Sequence, residues 1–157
     1  MTAGELLIIV LALSPVPDSK GRPITRNASA ARDIATVCAE TTVPVFCAIA
    51  LDVLAARESN YRKDVAGDCP NMRAGDPACT RELGARSCGA FQTPCGETPA
   101  RLTGIDQVRI AWKWLAKATR DCPDHPLWAY AVGKCVKTAI ASTYETIVTA
   151  QASQVSP

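Results

Sequence analysis

The chain has 157 residues, 48% of them apolar and 20% charged. That length holds one core and would leave two halves marginal, and that composition excludes a disordered chain. A formal charge of +2 with no basic run excludes an electrostatic case for a nucleic-acid partner, and the longest apolar run, Leu6 to Leu13, has eight residues where a membrane span needs ~20.

From the amino terminus, Thr2-Ala3-Gly4-Glu5 reads as a capping box that opens a buried helix, which Pro15 and Pro17 end. The same stretch has the length of a signal-peptide apolar region. No Lys or Arg precedes it, however, and Glu5 stands where positive charge belongs, so a structural helix is the preferred reading. Asp18 to Asn27, with Gly21 and Pro23, is a polar connection. A second helix is expected over Ala28 to Glu40. The third begins at Pro44, where a missing N–H does no harm, and runs to Arg57. Its apolar pairs Val45/Phe46, Ile49/Ala50 and Val53/Leu54 step by four and mark one buried face.

Tyr61 to Thr103 follows, with five glycines, four prolines and four cysteines. A loop of this length is uncommon unless it is functional or held, and disulfides would hold it, with room for a short hairpin. A fourth helix from Ile105 is expected to bury Ile105, Val108, Trp112, Leu115 and Thr119, with Lys113 and Lys117 outward. Pro123 and Pro126 punctuate the chain, and a short helix over Leu127 to Val132 ends at Gly133. The last helix spans Val136 to Ala150, with the stripe Val136, Ile140, Tyr144 and Ile147. The expected architecture is one mainly α domain: an N-terminal helix and linker over 1–27, a core over 28–150 and a tail over 151–157.

Cys38, Cys47, Cys69, Cys79, Cys88, Cys95, Cys122 and Cys135 are even in number and spread along the chain. With no Cys-x-x-Cys pair and a single histidine, His125, they do not read as zinc ligands. Four disulfides made outside the cytosol are the better reading. Many pairings remain open from sequence; local closure, Cys38–Cys47, Cys69–Cys79, Cys88–Cys95 and Cys122–Cys135, is the expectation. Without a convincing signal peptide, an extracytoplasmic location needs another route, such as delivery in a phage virion or by an injection or secretion assembly. No metal and no cofactor are expected.

One carboxylate stands out. Continuing the third helix's stripe by fours gives Ala50, Leu54 and then Glu58, at the end of the apolar face where the helix meets the glycine-rich region. Burial disfavours its charge, and so does the negative end of the helix dipole. Both raise its pKa toward what a general acid needs. The plainer alternative is a frayed last turn, with Glu58 in water or paired to Arg57 or Arg62.

Glu58-Ser59, preceded by the apolar helix and followed by Gly89-Ala90-Phe91-Gln92 and then Ala129-Tyr130-Ala131-Val132-Gly133, resembles the soluble lytic transglycosylase family of the lysozyme superfamily, the goose-type-lysozyme-like group. The resemblance covers Val43 to Gly133. It implies a lysozyme-like helical fold and cleavage of peptidoglycan glycan strands. Glu58 would be the catalytic acid, Ser59 would help orient it, and Gln92, Phe91 and Tyr130 would belong to the sugar-binding region. The chain departs from the family's pattern in three places: Ala131 replaces an asparagine, Ala90-Phe91 replaces an aliphatic pair, and a cysteine-containing insertion carries Cys69 and Cys79.

The chemistry the resemblance implies needs one carboxylate acting twice. Glu58 protonates the glycosidic oxygen, the substrate's N-acetyl group stabilises C1, and the carboxylate then takes the proton of the sugar's own 6-hydroxyl, giving an anhydro end. A hydrolysing muramidase would need a second carboxylate, for which Asp64, Asp68, Asp76, Glu82 and Glu97 are the loop candidates. A third reading is a catalytically idle structural or glycan-binding component of a phage or secretion assembly. Trp112 is read as core and Trp114 as a flank of it, with sugar stacking as the alternative. Trp128 and Tyr130 are read as either packing or cleft residues, and His125 as a turn residue. Ser59 has no histidine placed to activate it as a nucleophile. Arg62, Arg73, Arg81 and Arg86 are solvated charge or attractors for the acidic peptide stems of the wall.

Overall fold

The computed structural model describes residues 1–73, 76–98 and 103–155. Among these, the chain forms helices α1 (Ala3–Ala12), α2 (Ala28–Cys38), α3 (Pro44–Ser59), α4 (Gly104–Asp121), α5 (Pro126–Val132) and α6 (Ala139–Ala152). Strands β1 (Ala66–Gly67), β2 (Ser87–Cys88) and β3 (Thr93–Pro94) lie between α3 and α4. The domain is mainly helical, as its patterning predicts.

The capping box of α1 forms as expected: Glu5 N–H donates to Thr2 Oγ1 at 3.2 Å and Thr2 N–H to Glu5 Oε2 at 2.7 Å. The helix is not buried all round, however. Leu6 and Val10 face the core while Ile8 and Leu11 are exposed, because a helix laid on the outside of a bundle buries only one stripe.

α3 departs from expectation in the opposite sense. Every residue from Cys47 to Ala56 is buried, since α1, α2, α4 and α6 all pack on it. The single buried face read from its pairs is therefore a helix buried on all sides. The small residues Ala48, Ala50, Ala55 and Ala56 occupy the positions between its larger apolar ones and let neighbours come close.

Central burial makes Asp52, fully inaccessible in the middle of α3, a demanding residue. Arg26 meets it with a fork, Nε to Oδ2 at 3.0 Å and Nη2 to Oδ2 at 2.8 Å. The Tyr61 phenol donates to Oδ1 at 2.9 Å. The remaining guanidinium N–H groups go to the carbonyls of Leu13 and Ser14. A buried ion pair persists when its remaining valences are filled in this way, and here it ties the end of α1, the start of α2 and α3 to the chain that leaves α3.

α4 follows its predicted stripe in outline. Val108 and Leu115 are buried, and Ile105, Trp112 and Thr119 are half-buried. The last helix is corrected: it starts at Ala139 behind Thr138, whose hydroxyl accepts from the Ala141 N–H. Val136 and Ile140 are exposed, and the buried stripe is Ala141, Tyr144, Val148 and Gln151. Val136 precedes the helix, and the face that α6 turns toward α3 and α5 carries Ala141 and Tyr144 rather than Ile140. The tail read as starting at 151 also begins inside α6, where Gln151 donates to the Ser14 carbonyl at 3.0 Å; residues 156–157 lie outside the described residues.

The four disulfides are the locally closed set: Cys38–Cys47, Cys69–Cys79, Cys88–Cys95 and Cys122–Cys135. The first joins the end of α2 to the first turn of α3, and the last joins the end of α4 to the α5–α6 connection. The other two staple the irregular region, where β1, β2 and β3 form an antiparallel sheet with Ala66 opposite Cys88 and Cys88 opposite Thr93. The expected short hairpin is thus β2–β3. Among the described residues no helix is long and apolar enough to cross a membrane.

Candidate functional site

The sequence Gly89-Ala90-Phe91-Gln92 is the turn of the β2–β3 hairpin, closed beneath by Cys88–Cys95. Gly89 (φ 78°) and Gln92 (φ 48°) both take left-handed conformations. A Cβ on Gly89 would lie 2.6 Å from Gln107 Oε1, so only glycine passes there. Gln107, buried on α4, accepts from the Ala90 N–H at 2.9 Å and donates to the Lys63 carbonyl at 3.1 Å. It thereby fastens the turn to the chain leaving α3.

From the other side, Ser59 Oγ donates to the Ala90 carbonyl at 2.8 Å. Ser59 is buried, and its bond is to the turn. That bond locks the last turn of α3, which also carries Glu58, against the hairpin.

Glu58 is half-buried on that last turn. Asn60 (φ 53°) and Tyr61 (φ 62°) then reverse the chain, with Tyr61 anchored on Asp52. The carboxyl opens into a cleft of about 660 Å³, whose walls include Asp64, Asp68, Gln92, Ile140 and Tyr144. Burial raises its pKa above the ordinary carboxylate value, and the charge of Asp68 adds to this. The Tyr144 hydrogen bond and the charge of Arg57 work the other way without cancelling it. Tyr144 O–H donates to Glu58 Oε1 at 2.9 Å. Burial, followed by the Glu58 charge, holds the Tyr144 phenol up, so it remains a neutral donor. Arg57 does not pair with Glu58; its guanidinium donates to the Pro17 carbonyl at 2.7 Å.

The other expected residues divide. Gln92 lines the cleft, but its amide is engaged: Nε2 donates to the Gly89 carbonyl at 2.9 Å, and Oε1 faces Ser87 Oγ at 3.0 Å. Phe91, expected in the sugar-binding region, is 3% exposed and belongs to the core, because the turn folds its ring inward while Gln92 points out. Tyr130 donates to the Phe91 carbonyl at 3.1 Å and lines a hollow next to the cleft rather than the cleft itself. Trp128 turns away, its indole N–H donating to Glu145 and its ring stacked 3.8 Å from His125.

Among the loop carboxylates, Asp64, Asp68 and Asp76 line the cleft. Glu82 lines a different hollow, and Glu97 faces Lys113 at 3.3 Å. Sequence reasoning missed Asp52, Gln107 and the role of Tyr144. A signal existed for Gln107, a polar residue one turn before Ala111 and two before Leu115, whereas Asp52 lies off the stripe of apolar pairs on α3. Comparison with protein-family profiles, with curated proteins and with solved structures finds no match to this chain.

Proposed function

We propose that the protein is a lysozyme-like peptidoglycan lytic transglycosylase in which Glu58 acts first as acid and then as base. The observation that carries this reading is a single carboxyl with a raised pKa, half-buried in a cleft wall and held by one neutral donor, Tyr144. Protonated Glu58 gives its proton to the oxygen between N-acetylmuramic acid and N-acetylglucosamine as the bond to C1 breaks. The substrate's N-acetyl oxygen carries the charge at C1. The resulting carboxylate takes the proton of the 6-hydroxyl, whose oxygen closes on C1. No water is consumed. The four disulfides favour an extracytoplasmic place of action, with delivery by a phage virion or an injection or secretion assembly as the proposed route and other proteins of that assembly as partners.

A hydrolysing muramidase is the second reading, and Asp68 favours it, since its charge acts on Glu58 in the same cleft. Mass spectrometry of digested wall separates the two. Anhydro-muropeptides, one water lighter than hydrolytic products, are expected; reducing ends would select the muramidase. A wall zymogram with no clearing would select the catalytically idle component.

A further inference from the structure

Beyond Asp68 and Gln92, the Glu58 cleft adjoins a second hollow of about 240 Å³. Its apolar lining is Pro94, Trp114, Ala129 and Tyr130. Two exposed side chains of opposite charge, Asp68 and Arg86, also line it. Asp68 Oδ2 accepts from Ser87 Oγ at 2.6 Å, which holds the carboxylate in place, and among the described residues no hydrogen bond engages Oδ1. Among the described residues the Arg86 guanidinium is in no ion pair within 4.0 Å, with Asp68 or any other carboxylate.

A hollow that presents an anchored carboxylate and a guanidinium that is not ion-paired with it offers both charges to a ligand. A neutral sugar ring would partly desolvate the two groups and offer neither a counter-charge. An amino acid with a free ammonium, a free carboxylate and an aliphatic body answers all three features: ammonium to Asp68, carboxylate to the Arg86 fork, and methylenes on Trp114 and Tyr130. Because Asp68 and Gln92 line both spaces, a glycan in the cleft brings the peptide attached to its muramic acid within reach of the hollow.

We infer that this hollow is a binding site for the zwitterionic terminal amino acid of a wall peptide stem, so that the protein engages stem-bearing glycan in preference to bare glycan. The inference rests on the wall-cleaving reading for its substrate, but its test does not depend on cleavage. Titration calorimetry would use a stem tripeptide ending in diaminopimelic acid, the same peptide without that residue, and free diaminopimelic acid.

The parent is expected to bind the tripeptide at least about tenfold more tightly than the peptide lacking diaminopimelic acid, the scale of one lost charged hydrogen-bonding pair, and to bind free diaminopimelic acid, which carries the same ammonium and carboxylate, comparably. Arg86→Gln, on an exposed side chain and with an unchanged melting temperature, should lose that advantage, and Arg86→Glu should abolish binding. In wall assays the parent should cleave stem-bearing glycan faster than amidase-stripped glycan, and Arg86→Gln should cleave both alike. Tripeptide binding at parental strength by Arg86→Gln overturns the inference. So does a failure of free diaminopimelic acid to bind. Stem binding by a protein that cleaves no wall would remove the Glu58 reading and leave this site standing.

Discussion

The phenol of Tyr144 donates to Glu58 Oε1 at 2.9 Å, joining the last turn of α3 to α6 across 86 residues of sequence. It is a neutral donor beside a half-buried carboxyl, so it steadies the ionised form without supplying a counter-charge, and Glu58 keeps a raised pKa.

Glu58→Gln is expected to lower wall cleavage by at least ~100-fold, the lower end of general-acid contributions, measured by turbidity loss of a wall suspension. Glu82→Gln, outside the cleft, is the control and should retain most activity. Stability should move in the other direction. A carboxyl whose folded pKa is raised stabilises the fold only while protonated; that contribution is complete below the ordinary value of 4.5 and is lost as pH rises through the folded value. Melting curves of Glu58→Gln should therefore match the parent in acid and equal or exceed it at neutral pH. Parental cleavage by this variant would make the idle-component reading the leading one.

Two substitutions should move the alkaline limb of the pH–rate profile in opposite directions. Tyr144→Phe removes a bond that favours ionised Glu58, so the limb should shift upward. Asp68→Asn removes a like charge, so it should shift downward. Rates on stem-stripped glycan keep peptide binding out of the comparison. Under the transglycosylase reading Asp68→Asn still turns over; a collapse of its rate would point to the muramidase.

Arg26→Ala should cost about 3–5 kcal/mol in a denaturant titration, because it leaves Asp52 buried and unpaired. Replacing both, with Arg26→Met and Asp52→Leu, should recover much of the loss. If Arg26→Ala unfolds at the parental midpoint, the ion pair is not holding α3 to its surroundings.

Alkylation without reductant should modify no cysteine of natively produced protein, and intact mass after reduction should show eight modified thiols. Each closed loop contributes on the order of 2–3 kcal/mol by restricting the unfolded chain. Replacing Cys88 and Cys95 together by serine should cost that much and also slow cleavage, because this pair closes the turn that Ser59 and Gln107 hold.

The helices were legible in the sequence because their signals are local. Thr2 and Glu5 cap within one turn, Pro44 and Pro126 start helices, and Gly133 ends one in a left-handed conformation (φ 70°). The disulfide pairing agrees with the expectation of local closure, although the sequence alone leaves many pairings open: each bridge closes a short loop, at separations of 7 to 13 residues. The inward placement of Glu58 followed from a step of four along one helix. What the sequence could not supply depends on partners distant in the chain. Phe91 and Gln92 exchange core and cleft according to the conformation of a hairpin turn, and Val136 and Ile140 look like core until the packing of α6 on α3 and α5 selects its buried face. Asp52 lies off the apolar pairs of α3, and its burial depends on Arg26 and Tyr61, which arrive from outside that helix. Local backbone preferences are written residue by residue, whereas burial, a shifted pKa and a shared hollow are properties of groups that only the folded chain brings together.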